Sequence, residues 1–226
     1  MANHLDLEEQ EQLDQLKHFW NNWGTIISFV LVVVFGSVAA WNGYQFWQNR
    51  EALHAASLLN AIENAAQASD KNRLEQAFID IRNKYAATTQ AGQAGFIAAK
   101  FEIERGNLDA GQAALDWVAA HSSDDAYKTL ANLRLANLLI EKKSYDSALQ
   151  HLSGKFDMEF DAIVADRKGD IFSLQNKKQE AILEYARAYK NMNDRFEYRR
   201  LIEVKLNALG VRSKNLVNLM AAGAIK

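Results

Sequence analysis

The sequence predicts an all-α chain, with one N-terminal transmembrane helix followed by a solenoid of helix pairs. Three observations carry this. The 226 residues include no proline, the residue that breaks helix interiors. No Asp, Glu, Lys or Arg occurs between Lys17 and Arg50. Beyond residue 50, small residues recur with a period near 34.

The first 22 residues form an acidic tail, in which Asp6, Glu8, Glu9, Glu11 and Asp14 stand against Lys17 alone. Residues 23–47 form the transmembrane helix with its aromatic flanks. From Trp23 to Trp41 the run has 19 residues. At ~1.5 Å per residue this approaches the ~30 Å hydrocarbon thickness. Trp20 and Trp23 mark one end, and Trp41, Tyr44 and Trp47 the other, as in an interfacial aromatic belt. A buried core helix would not need girdles at both ends. Ser37-Val38-Ala39 before Ala40 resembles a signal cleavage site. The acidic flank and the length of the apolar run favour an uncleaved anchor. Lys17 and Arg50 balance, so the flanking charges leave orientation open. Gly36, Ala40 and Gly43 fall at i, i+4, i+7 and make a candidate transmembrane packing face, although glycine is common in such helices without that role.

The remaining chain, residues 50–210, is long enough for a sizeable core and nearly neutral. Over the whole chain, 26 basic residues face 28 acidic ones. That is not the strongly basic balance of a nucleic-acid binder, so no nucleic acid is expected as a partner. With no cysteine, disulfides and thiolate metal sites are excluded. His4, His18, His54, His121 and His151 share no metal-ligand spacing. Asp124-Asp125 and Asp157/Glu159/Asp161 fall near helix starts, where carboxylates stabilise the terminus. The sequence shows no nucleophile elbow, phosphate loop or zincin motif. We therefore expect a binding protein without a cofactor, and not an enzyme.

The repeat register rests on Ala65, Ala99, Ala136 and Gly169, each followed twelve residues later by Ala77, Gly111, Ala148 or Ala181. Three residues before the second position stand Leu74, Leu108, Tyr145 and Lys178; four after it stand Ile81, Leu115, Leu152 and Tyr185. Small residues at both positions allow two helices to cross closely, and Lys178 departs from the apolar pattern. The spacing resembles tetratricopeptide repeats and predicts a repeat-like helical solenoid. The expected pairs are 50–68/71–86, 91–104/107–120, 125–142/145–152 and 159–174/177–191. A capping helix at 194–209 ends at Gly210, and residues 211–226 form a weakly apolar C-terminal tail.

In such arrays, helix A residues one and four after the crossing residue, and three and six before it, tend toward the concave face. That gives the candidate protein-binding groove Phe96, Lys100, Ile103, Leu130, Leu133, Asn137, Asp166 and Asp170, with Ile140 and Ile163 beside them. An apolar, polar-rimmed groove would suit extended polypeptides. Apolar helical stripes also form ordinary core, and both readings stand on the sequence.

Three segments resemble one family. They are residues 11–47, with EQLDQLKHFW and WNGYQFW around the apolar run; Asn132-Leu133-Arg134-Leu135-Ala136; and residues 162–170, AIVADRKGD. With the repeats they resemble the YfgM family, the ancillary subunit of the bacterial SecYEG translocon, up to about Leu209. The resemblance implies a bacterial inner-membrane location, with the N-terminal tail cytoplasmic and the repeat domain periplasmic. It also implies three partners besides membrane lipid: the SecYEG translocon, the membrane-anchored periplasmic chaperone PpiD, and secreted polypeptides in transit. A chaperone-like helper for secretion is the role it suggests. A tethered scaffold or regulator of an envelope complex, without client binding, is the alternative.

Overall fold

A computed structural model describes residues 7–193 and 197–211. The described chain is all-α, as expected, and forms two compact units, Met1–Leu53 and His54–Lys226. The expected tail at 211–226 lies outside the described residues from 212 onward.

The first unit is the N-terminal part of α1 (Leu7–Gln67). It is the one helix among the described residues long and apolar enough to cross a membrane. Its large apolar side chains point outward all round: Phe29 is 68 % exposed, Val32 70 % and Phe35 68 %. Leaving such side chains in water costs about 1.5–3 kcal/mol each, so this surface calls for a hydrocarbon environment. Beyond the run, Gln48 Nε2 donates to the Tyr44 hydroxyl at 2.8 Å, and the Arg50 guanidinium lies over the Phe46 ring. Aromatic bodies with polar tips suit the membrane–water boundary.

The second unit begins with the last turns of α1 and continues through α2 (Lys71–Tyr85), α3 (Thr89–Glu104), α4 (Leu108–His121), α5 (Asp125–Glu141), α6 (Tyr145–His151), a 3-10 turn at Met158–Phe160, α7 (Asp161–Leu174), α8 (Lys178–Asn191) and α9 (Tyr198–Ala208). Three helix starts are set by short polar side chains. Asp70, Thr88 and Asp124 each accept a backbone N–H of the following turn, as N-caps do. Asp124 is thus a cap, as its position implied.

The turns between the helices of each pair repeat one geometry. Ser69, Gly106, Lys143, Asn176 and Gly210 all have positive φ, between 56° and 83°. At each, the next N–H reaches back to the last turn: Asp70 to Ala65, Asn107 to Glu102, Ser144 to Leu139, Lys177 to Phe172 and Val211 to Leu206, at 2.8–3.0 Å. This is the Schellman closure. Gly106 and Gly210 adopt it freely, whereas Ser69, Lys143 and Asn176 pay the left-handed cost of an L-residue. The last described helix, α9, ends on the same closure at Gly210.

The turns also test the small-residue register. In the second to fourth pairs the crossing residues Ala99, Ala136 and Gly169 lie seven before the turn, and Gly111, Ala148 and Ala181 five after it. In the first pair the same offsets select Ile62 and Leu74, 0 % and 2 % exposed, rather than Ala65 and Ala77. The expected register is therefore three residues late there. The first pair therefore crosses on larger side chains, both buried in one apolar cluster, where the second crosses on Ala99 and Gly111. Where the approach is close, a side chain is excluded. A Cβ on Gly111 would lie 2.4 Å from Ile103 and 3.2 Å from the Ala99 carbonyl oxygen. One on Gly169 would lie 2.5 Å from the Tyr185 ring.

Successive repeats are joined by apolar clusters that follow chain order, from Ala55 to Leu135, from Leu133 to Ile171 and from Ala165 to Leu206. Polar clamps repeat in register as well. Lys142 donates to Asp109 at 2.8 Å and Gln112 at 3.0 Å, and one repeat later Gln175 donates to Asp146 at 3.4 Å. Lys142 holds the Asp109 carboxyl below its ordinary range, by the hydrogen bond and by its charge.

Substitutions at the crossings and turns should separate cleanly. Ala136→Leu or Gly169→Ala should cost ~1–3 kcal/mol by overpacking. Lys143→Gly should gain up to ~1 kcal/mol by relieving the left-handed turn. Urea unfolding followed by circular dichroism, with the full chain in detergent, measures all three.

Candidate protein-binding face

The first helices of the pairs present one face built from repeated offsets. Relative to the crossing residue, positions −2, +1 and +5 recur: Arg134, Asn137 and Glu141 on α5, and Arg167, Asp170 and Leu174 on α7. On α3, Lys100 and Glu104 hold positions +1 and +5. Two grooves result. One, of about 390 Å³, lies between α3 and α5 and is lined by Lys100, Ile103, Glu104, Leu115, Arg134, Asn137, Leu138 and Glu141. The other, of about 410 Å³, lies between α5 and α7 and shares Asn137 and Glu141 with the first; Ile140, Arg167, Asp170, Ser173, Leu174 and Tyr185 complete it. Exposed Asn137 sits on the ridge between them.

Of the residues anticipated from sequence, Lys100, Ile103 and Asn137 thus share one groove, and Asn137 and Asp170 the next. Phe96 is half-buried, edge-on to Tyr127 at 5.6 Å and covered by the Arg134 guanidinium at 4.6 Å. Leu130 is half-buried and lines neither groove. Ile163 is exposed. Leu133 and Asp166 must be corrected. Leu133 is 7 % exposed and packs with Ala136, Leu139 and Val164. Asp166 is 0 % exposed. Both hold the −3 position, which points into the next repeat and not onto the open face. The sequence reading missed Arg134, Glu141, Arg167 and Leu174. Carrying the −2 and +5 offsets along each helix would have found them.

Asp166 anchors the last helix. Lys205 Nζ lies 2.7 and 2.9 Å from its two oxygens, and the Tyr198 hydroxyl donates to it at 2.7 Å. Lys205 also reaches Asp170 at 2.7 Å, and Asp170 accepts from Tyr185 at 2.8 Å and Arg167 at 3.0 Å. Tyr198 and Lys205 are i, i+7 on the buried face of α9, with Ile202 and Leu206 between and beside them at 0 % exposure. Residues 162–170 therefore read structurally: Ala165 and Gly169 permit close packing, and the two aspartates hold α9. Burial, then the hydrogen bond to Asp166, pushes the Tyr198 hydroxyl up to about 12. Burial and Asp170 drive Tyr185 further up still. Burial, aided by the nearby Asp161 charge, raises the Glu184 carboxyl against the opposing charges of Lys168 and Arg187.

Gly36 and Gly43 have no atom within 4 Å of where a Cβ would stand, so the small-residue face of the membrane helix is open. Among the described residues, no group of three or more His, Asp or Glu is placed to hold a metal ion.

Removing one partner of a buried pair leaves an uncompensated charge. Lys205→Met should accordingly cost about 3 kcal/mol in urea unfolding, and adding Asp166→Leu should recover part of it. A second outcome follows from Tyr198. Its raised value means that the folded state keeps the proton which the unfolded chain loses near pH ~10. The contribution is full below that pH and is lost as pH rises toward about 12. Alkaline unfolding should begin in this window, and Tyr198→Phe should blunt it.

The comparisons with known proteins agree with this architecture. The family described as Tetratricopeptide repeat-like domain matches residues 17–211, which include the membrane run and the described repeats. A Neisseria gonorrhoeae protein named Ancillary SecYEG translocon subunit is 31% identical over 92% of this chain and 100% of its own length. Proteins of the same name from Aggregatibacter actinomycetemcomitans and Escherichia coli K12 are 29% identical over 90% of this chain and 98% of their own, and 27% identical over 76% and 83%. With a repeat-like domain spanning most of its length and a full-length relative above thirty per cent identity, the chain belongs to the tetratricopeptide repeat-like YfgM family, whose curated relatives bear the name Ancillary SecYEG translocon subunit.

Proposed function

We propose that the chain is an ancillary subunit of the SecYEG translocon. In this reading it is anchored in the inner membrane by α1, with the acidic tail in the cytoplasm and the repeat domain in the periplasm. There it helps secreted polypeptides through protein–protein binding, beside the chaperone PpiD. One observation carries the reading: the similarity to relatives of that name runs over the membrane helix and the repeats together. The shared face between α3, α5 and α7 supplies two grooves with apolar floors and charged rims, suited to a polypeptide segment. The role is binding, not catalysis.

The scaffold reading has its own support. Phe96 lies beneath Arg134, and Leu133 is core, so the first groove is less apolar than an open client site needs. Charged side chains at Lys100, Glu104, Arg134 and Glu141 suit a fixed partner.

A photo-crosslinker at Asn137 in intact membranes tests these readings. Client-binding predicts adducts with secretory chains that disappear when secretion stops; a scaffold gives one persistent adduct instead. A crosslinker at exposed Glu180, on a second helix, should give neither. Topology is checked by Lys143→Cys. This exposed turn should react with a membrane-impermeant maleimide once the outer membrane alone is permeabilised. Labelling only after inner-membrane lysis would reverse the orientation.

A further inference from the structure

Ahead of the membrane run, α1 is two-sided. Leu13, Leu16, Trp20 and Trp23 are 41 %, 62 %, 57 % and 53 % exposed and follow one another at intervals of three, four and three. Ile27, Val30 and Val34 continue the same alternation into the span. This is the spacing of an a/d seam in a left-handed coiled coil, with Trp20 and Trp23 at the level of the aromatic girdle. Within the span, apolar residues occur all round, so the information lies in residues 11–23. There, polar residues are used freely, yet the stripe persists. Glu11, Gln15, His18 and Asn22 occupy the opposite face. The helix is unbroken from Leu7, so Leu13 stands ten residues, about 15 Å, before Trp23. That is outside the hydrocarbon, where an apolar stripe needs a partner.

We propose that this seam pairs with the same seam of a second copy of the chain, in parallel. Three features select that occupant. Two copies inserted the same way into one membrane are necessarily parallel and bring identical heights together. The residues flanking the stripe are nearly uncharged: with Leu13 at a, the e and g positions hold Gln12, Lys17, Phe19, Gly24 and Ile26. A parallel copy therefore sets Lys17 beside Gln12 of the other chain, with no like-charge contact. Finally, Glu11 and Asp14 lie away from the stripe. A basic partner would want acids beside it, and an anionic lipid surface would repel the tail that carries them. The small-residue face at Gly36, Ala40 and Gly43 lies on the far side of the helix and stays free for a different neighbour.

The native chain has no cysteine, so single cysteines report directly. Leu13→Cys, Leu16→Cys, Gln15→Cys, His18→Cys and Asn22→Cys are placed in the full chain and oxidised in carbonate-washed membranes, so that only inserted protein is scored. Pairing predicts a band at twice the 25.5 kDa monomer mass for the Leu13 and Leu16 variants, and its loss at the other three. Adding Leu16→Glu to the Leu13→Cys chain should abolish the band, and Gly36→Leu with Ala40→Leu should leave it. Equal bands at all five positions mean random collision and overturn the proposal. So do absence of any dimer and adducts confined to a different protein.

Discussion

The repeat domain depends on how closely the two helices of a pair can cross. Helix axes approach to 8–10 Å only where the side chains between them are small. At Gly111 and Gly169 the crossing leaves no room even for a methyl group. The close approach brings Ile103 and Tyr185 against the partner helix, and the angle it sets decides which residues face outward. The −2, +1 and +5 positions that form the grooves are consequences of that angle. Where the crossing carries Ile62 and Leu74, bulkier buried side chains stand between the helices and the first pair departs from the small-residue pattern of the others.

Electrostatics takes over where apolar packing runs thin. The last described helix is short and presents Ile202 and Leu206 to the core, and its docking is completed by Lys205 and Tyr198 on Asp166. A fully buried carboxylate is costly unless its lone pairs are satisfied and a cation stands beside it. Asp166 has both. The same lysine reaches Asp170, so one ammonium ties the buried anchor to the edge of the second groove. In the segment 162–170, Asp166 therefore serves assembly of the array, while Arg167 and Asp170 also line the second groove.

Much of the fold was legible because it is encoded in short-range features. The absence of proline, the uncharged stretch and the spaced small residues need no distant partner to be read. The site was less legible. Asp166 looked like a surface carboxylate because its counter-charge lies 39 residues away on α9. Leu133 looked like a groove residue because a helical stripe does not show which of its edges meets the next repeat. Ala65 and Ala77 misled because alanine is common throughout this chain; the left-handed residue at Ser69 marks the register better, yet serine at that position gives no signal in sequence.

Each helix of the domain packs chiefly against its neighbours in the chain, from α2 on α3 through α8 on α9. Contacts of this kind are local in sequence, and local contacts close small loops at little entropic cost. A domain so organised has few reasons to wait. It has no X–Pro bond to isomerise and no disulfide to form, the two slow steps that commonly hold a chain in partly folded states for seconds or longer. Folding can start at any pair and spread to the next. A polypeptide that becomes available from its N-terminal anchor onward can therefore build its array pair by pair, each new pair using the last as template.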